Sequence, residues 1–183
     1  MAKQFENLSE NHSQFIKEQK IFFVGTAASE GNVNVSPKGM DSLRVLSPNR
    51  VIWLNVTGSG NESSAHVQIN PRMTIMFCAF EGTPLILRLY GKAKVIHKND
   101  LQWGQLFSHF NPIVGARQIF DLDIELVQSS CGYAVPFFDF KEDRKLLINW
   151  AEKKGDEGIK KYWEEKNQIT IDGMPTNIFA KNI

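Results

Sequence analysis

Cysteine is scarce in this chain of 183 residues, and its two cysteines can build neither a disulfide framework nor a zinc site. The four histidines lack the spacings that are typical of metal sites. The polar N-terminal stretch lacks the apolar middle of a signal peptide. No segment approaches the roughly 20 apolar residues that a membrane helix needs. Basic and acidic residues nearly balance, at 21 and 20, so no broad charge attracts nucleic acid or an anionic membrane. These absences predict a soluble, cytoplasmic protein without metal, nucleic-acid or membrane partners.

Familiar catalytic motifs are also absent. The chain has no GxSxG elbow and no GxxxxGK[ST] phosphate loop, and Ser63 stands where a dinucleotide fingerprint would need glycine. No residue is singled out as a proton donor or a nucleophile. A chemistry driven by side chains alone is therefore hard to assemble, and this favours a cofactor that carries its own reactivity.

Strand-like segments fill the middle of the chain, and hydrophobic residues, at 42% of the total, suffice for a core. Seven short apolar segments are bounded by Gly, Pro or Asn: residues 21–29, 33–37, 43–46, 51–55, 73–80, 85–96 and 119–127. The turns at 30–32 and 47–49 are short enough to predict antiparallel neighbours. In the last segment Phe120, Leu122, Ile124 and Leu126 alternate with acidic residues, which predicts a half-buried strand. The pattern favours a mainly β fold with flanking helices, either a barrel or a sandwich.

Charge density changes after residue 140. Residues 141–166 contain fifteen charged residues and apolar positions at three- and four-residue steps, which predicts surface helices divided at Gly155. We expect residues 1–140 to form the β domain and residues 141–183 to form a helical extension packed on it.

The densest chemical signal is the small-residue loop from Thr57 to Asn61, which precedes a helix-like stretch over 62–69. Its backbone N–H groups could cradle a phosphate. It could equally be a glycine turn with Asn61 as the helix N-cap. Lys38 ends a strand and reads as a surface lysine, or as the cation of a phosphate site if it meets residues 59–61 in space.

Two further features have alternative interpretations. Arg88 lies among apolar neighbours in a strand, where a guanidinium needs an ion-pair partner or a ligand. Tyr133 and Phe137 could form a wall against a planar ring, or could belong to an ordinary connection between elements.

Several of these segments together carry a resemblance: residues 33–39, 51–61, 70–72 and 88–91, with 130–133 and 171–175. The chain from about residue 21 to 175 resembles the flavin-binding split barrels related to pyridoxamine 5′-phosphate oxidase. The resemblance implies a six-stranded antiparallel split barrel and a homodimer with FMN held at the subunit interface. It also implies these cofactor-binding residues: Val35, Ser36, Pro37, Lys38, Gly39, Trp53, Leu54, Ser59, Gly60, Asn61 and Arg88.

The sequence departs from the family pattern at two places. Ser59-Gly60-Asn61 stands where the oxidase has Ser-Arg-Lys, so Lys38 and backbone donors must do more of the phosphate binding. Residues 140–183 contain no Arg-x-His element for the vitamin substrate, so vitamin B6 oxidation is not expected.

The resemblance implies an FMN-dependent oxidoreductase that performs two-electron flavin chemistry on a small molecule. The alternative is a non-catalytic module that binds, stores or senses flavin, haem or deazaflavin, with His66 or His109 as the ligand to haem iron. An interaction-only barrel with an empty cleft is a third reading of the same sequence.

Overall fold

A computed structural model describes residues 2–183 of the chain. Its elements, in chain order, are β1 (Lys3–Phe5), α1 (Glu10–Glu18), β2 (Phe22–Thr26), β3 (Asn34–Lys38), β4 (Leu43–Ser47), β5 (Arg50–Val56), α2 (Glu62–Ile69), β6 (Arg72–Cys78), β7 (Ile86–His97), α3 (Trp103–Phe107), β8 (Ala116–Ser130), α4 (Leu146–Lys166) and α5 (Ile178–Asn182). Each of the seven predicted strands is present, with bounds that differ by at most three residues.

One antiparallel sheet contains all eight strands. Its order is β3-β2-β6-β7-β8-β5-β4, and β1 pairs with β8. The turns at 30–32 and 47–49 join antiparallel neighbours, as predicted. The predicted class, mainly antiparallel β with flanking helices, is confirmed. The resemblance implied six strands, whereas the described sheet has eight, and no ladder between β3 and β4 closes it within residues 2–183.

The main core lies against one face of this sheet and contains Trp53, whose indole is fully buried. Trp53 stacks on Phe120 with ring centres 4.4 Å apart and planes 5° apart. A second cluster on the other face of β5 includes Leu54 and packs against α3. Since neighbouring residues of a strand face opposite sides, Trp53 and Leu54 serve two different cores.

The alternation predicted for β8 holds as far as Ile124 and then breaks. Phe120, Leu122 and Ile124 are buried, but the register with β7 shifts between Tyr90 and Gly91. Beyond this bulge Leu126 pairs with Tyr90 and is only half-buried. The prediction that Leu126 faces the core is wrong, because one extra residue in a strand reverses the facing of those that follow.

The helix α4 is interrupted at Gly155, whose φ of 62° and ψ of 177° are not helical. The predicted division of the charged region is therefore confirmed. The buried side chains of α4 are Ala151, Ile159 and Trp163, and α5 packs against this helix. None of the helices in residues 2–183 has the length and apolar character needed to cross a membrane.

Candidate functional site

The strand β3 presents polar side chains to the inside of the sheet. Lys38 pairs with the buried Phe22 and Asn34 pairs with the buried Thr26, so both face the core side. Val35 is 65% exposed and, with Pro37, faces the opposite side. The predicted binding segment 35–39 is thus divided between two faces, and only its even-numbered residues point inward.

Lys38 is the inward cation at the end of β3. Its Nζ lies 5.2 Å from the centre of the Trp53 ring, and no carboxylate in residues 2–183 lies within 4.0 Å of it. The pKa of Lys38 falls to about 8, mainly because the side chain is buried; the positive charge of Arg117 also lowers it, and the charge of Glu62 raises it. Lys38 is therefore within electrostatic reach of Arg117 and Glu62.

Arg117, at the start of β8, supplies a second cation that the sequence analysis did not identify. Its side chain is 3% exposed, and Nη2 donates a 2.7 Å hydrogen bond to the carbonyl of Gly60. Its Nε has no partner in the described chain. Burial lowers the pKa of Arg117 to about 10, and Glu62 partly offsets the effect, so the group stays charged at neutral pH. Like Arg88, Arg117 is a guanidinium among apolar strand residues, and this pattern is visible in the sequence.

Asn61 occupies the N-cap position of α2, as the turn interpretation predicted, but its side chain makes no capping hydrogen bond. The residue is 3% exposed. Both Nδ2 and Oδ1 lack a partner within residues 2–183. A buried amide without partners is costly, so this side chain is available to a ligand.

Glu62 begins α2 and turns its carboxylate back over the loop. A Cβ built on Gly60 would lie 2.8 Å from Glu62 Cδ, so a side chain at position 60 would require the flexible Glu62 side chain to move. The carboxylate therefore lies over the loop, and its charge acts on both Lys38 and Arg117.

Hydroxyl and amide groups extend the cleft along β3. Asn34 Nδ2 donates to Ser36 Oγ at 3.0 Å and to Ser63 Oγ at 3.1 Å. Thr26 Oγ1 lies 3.2 Å from His66 Nδ1. The inward side of β3 and the first turn of α2 therefore share one polar surface, which we call the cleft: Asn34, Ser36, Lys38, residues 59–63 and Arg117.

Arg88 lies on the outer face of the sheet, away from the cleft. Its Nη1 donates to Ser130 Oγ at 3.2 Å, and no carboxylate in the described residues lies within 4.0 Å of it. Three strand spacings, or about 14 Å, separate it from Pro37 on the same face. A single copy of the chain does not bring Arg88 to Lys38.

A cavity of about 860 Å³ adjoins Lys38 and Gly39. Aromatic side chains from two segments line it: Phe80, Phe138 and Phe140. Phe138 lies 5.4 Å from Phe80 between ring centres, and its backbone N–H donates to the Phe80 carbonyl. Tyr133 and Phe137 are 83% and 79% exposed and do not line this cavity. The aromatic lining of this cavity therefore includes Phe138, from the segment suggested as a wall for a planar ring, but neither Tyr133 nor Phe137.

Together these features define the class of protein: it has an antiparallel β sheet and a cation-lined cleft beside an aromatic cavity. Residues 8–131 match the family model described as pyridoxamine 5′-phosphate oxidase. The pyridoxamine 5′-phosphate oxidase family protein ustO of Aspergillus flavus is 37% identical over 189 aligned positions, which cover 93% of this chain and 76% of that protein. The chain belongs to the pyridoxamine 5′-phosphate oxidase family.

Two solved structures share the fold at low sequence identity. A candidate pyridoxamine 5′-phosphate oxidase from Lactobacillus delbrueckii is 21% identical, with a TM-score of 0.53, and the match covers 67% of this chain and 94% of that one. HupZ of Group A Streptococcus is 16% identical, with a TM-score of 0.52, over 65% of this chain and 91% of that one.

Proposed function

We propose that this protein is an FMN-binding oxidoreductase that acts on a small molecule. The observation that carries the proposal is the presence of two inward cations, Lys38 and Arg117, whose charges act on each other, with neither side chain held in a salt bridge within residues 2–183. Two inward cations without acidic salt-bridge partners fit the dianionic phosphate that FMN carries. When bound, the flavin supplies two-electron chemistry.

The cleft offers three kinds of donor to that phosphate. Lys38 contributes a point charge, residues 59–61 contribute backbone N–H groups, and the unpartnered amide of Asn61 contributes a polar side chain. Arg117 adds positive charge from behind the loop. The donor set compensates for the basic residues that the loop itself lacks.

The adjacent cavity has the size and lining for a planar ring. Its volume of about 860 Å³ lies within the range of sites for small molecules. Phe80, Phe138 and Phe140 provide apolar contacts there, and Lys38 borders both the cavity and the cleft. One ligand with a flat ring and a phosphate tail would occupy both.

We further propose that the protein is a homodimer in which the outer face of the sheet, with Arg88, meets the cofactor bound by the second copy. In support, Arg88 has no acidic partner in the described residues, and Val35 on the same face is 65% exposed. Since Arg88 and Lys38 face opposite sides of the sheet, they can contact one flavin only from two chains.

The test begins with the absorption spectrum of the purified protein and mass identification of any molecule released on denaturation. We expect flavin absorption and FMN. Titration of the apoprotein should give tighter binding of FMN than of riboflavin, which lacks the phosphate. Binding of both at equal strength would contradict the phosphate role of the cleft.

Reductants separate the enzyme from a flavin store. Bleaching of the bound flavin by NADH or NADPH, followed by reoxidation with an acceptor, supports the oxidoreductase. Bound flavin that stays inert to both reductants and to a panel of acceptors would support the non-catalytic binder. A Soret band in place of flavin absorption would contradict the cofactor assignment.

A further inference from the structure

The loop that carries residues 58–60 is held from behind by two side chains. Asn167 Nδ2 donates to the carbonyl oxygens of Gly58 at 3.1 Å and Ser59 at 3.3 Å. Arg117 Nη2 donates to the next carbonyl, that of Gly60. Three successive carbonyl groups are therefore directed toward the same side of the loop.

This arrangement fixes the direction of the backbone N–H groups. In a trans peptide the C=O and N–H bonds point in opposite directions, so the N–H groups of Ser59, Gly60 and Asn61 point away from Asn167 and Arg117. Within residues 2–183 these three N–H groups donate to no recorded acceptor. Free, adjacent N–H groups of this kind form an anion-binding concavity.

Asn167 is itself fixed by the residues around it. It is fully buried, and its Oδ1 accepts a 2.9 Å hydrogen bond from Arg117 Nη1. Its backbone N–H donates to the Trp163 carbonyl, and its own carbonyl accepts from Thr176 Oγ1. The side chain has one orientation available, and its amide faces the loop.

The same end of α4 also holds the start of the loop. Trp163 Nε1 donates to Thr57 Oγ1 at 2.8 Å, and that hydroxyl donates to the Gly115 carbonyl at 2.7 Å. All of these contacts are buried or half-buried. The loop is therefore tied to the C-terminal segment at several successive residues.

From these contacts we propose that Asn167 is a positioning residue for phosphate binding, and that the C-terminal segment is part of the cofactor site. The inference rests on the proposed function. Asn167 contacts the carbonyl side of the loop and acts on the ligand only through the direction of the N–H groups. The family model match ends at residue 131, so this contribution comes from outside the matched barrel.

The main test variant is Asn167→Asp, which preserves the shape and the acceptor for Arg117 but removes the donor to Gly58 and Ser59. Asn167→Ala removes both contacts. Gln168→Ala is the matched control, because Gln168 is exposed and its side chain bonds only to the Glu164 carbonyl of α4. Dissociation constants for FMN and riboflavin are measured for each protein, after circular dichroism has confirmed folding.

We expect both Asn167 variants to bind FMN roughly tenfold more weakly, the effect of one or two lost hydrogen bonds, while riboflavin binding changes less than about twofold. A merely structural role would weaken both ligands together. If Asn167→Ala does not fold, the FMN and riboflavin dissociation constants of Asn167→Asp alone decide whether Asn167 positions the loop.

The outcomes separate this inference from the proposed function. A wild type that binds FMN no better than riboflavin would overturn both. A wild type that prefers FMN, with Asn167→Asp showing the same preference, would remove the role of Asn167 and leave the proposed function standing.

Discussion

The ammonium of Lys38 lies 5.2 Å from the centre of the Trp53 indole ring, on the inner side of the sheet. Trp53 is fully buried, so the cation is held over the edge of the core. The ring face attracts the cation, yet the pKa of Lys38 falls to about 8, chiefly because burial of the ammonium disfavours its charged form. Several measurable consequences follow from a cation in this position.

Replacement of Lys38 by Met should weaken FMN binding by about 1.5–3 kcal/mol, because a charge-assisted contact to the phosphate is lost. Riboflavin binding should change little. The apoprotein should unfold at an equal or higher temperature than the wild type, since a disfavoured buried charge has been removed. Isothermal titration and thermal unfolding measure the two effects, and Lys94→Met, at an exposed position of β7, is the control. Unchanged FMN binding would remove Lys38 from the site.

The affinity for FMN should fall as the pH rises through about 8. Lys38 in the free protein loses its proton there, while a bound phosphate favours the charged form and raises its pKa. The dissociation constant should therefore increase by up to about tenfold per pH unit above 8. Lys38→Arg should remove this dependence, because arginine stays charged. A flat wild-type profile from pH 7 to 9.5 would show that the ammonium makes no contribution.

Replacement of Arg117 by Met should reduce FMN affinity by about 1.5–3 kcal/mol and also destabilise the loop, since the Gly60 carbonyl and Asn167 Oδ1 lose their donor. Arg117→Lys keeps the charge without the planar fork, so its affinity should lie between those of wild type and Arg117→Met. Equilibrium dialysis with FMN measures the series. Arg72→Met, at an exposed arginine of β6, is the control, and an equal loss in that variant would point to a general charge effect.

Acid should destabilise the fold through His97. This histidine is fully buried, and its pKa falls to about 4, mainly because of burial; Lys181 also lowers the pKa, and Asp100 opposes the shift. The unfolded chain takes up a proton near pH 6.5, whereas the folded chain does so only near pH 4. The unfolding free energy should therefore fall by about 3 kcal/mol between these values. Urea denaturation at several pH values measures this, and His97→Gln should reduce the slope of the unfolding free energy against pH.

The location of the proposed anion site was only partly predictable from the sequence. Lys38 and residues 59–61 stand more than twenty positions apart, and their proximity was a condition that the sequence could state but not test. The pairing of β3 with β2, and the packing of α2 beside β2, bring the inward side of β3 to the first turn of α2, where Asn34 contacts Ser63. Neighbouring residues of a strand face opposite sides, so the outward facing of Val35 and Pro37 and the inward facing of Ser36 and Lys38 were foreseeable once the strand bounds were known.

The sequence by itself determined the class of fold, the strand segments, the helix over 62–69 and the break at Gly155, because these depend on local periodicity and on the preferences of glycine and proline. Only the tertiary structure decided that Arg117 and Asn167 stand behind the loop, that Phe138 and Phe140 rather than Tyr133 and Phe137 line the cavity, and that a bulge turns Leu126 outward. Each of these depends on contacts between residues distant in the chain. Such contacts follow from how strands register and helices pack, which no local pattern records.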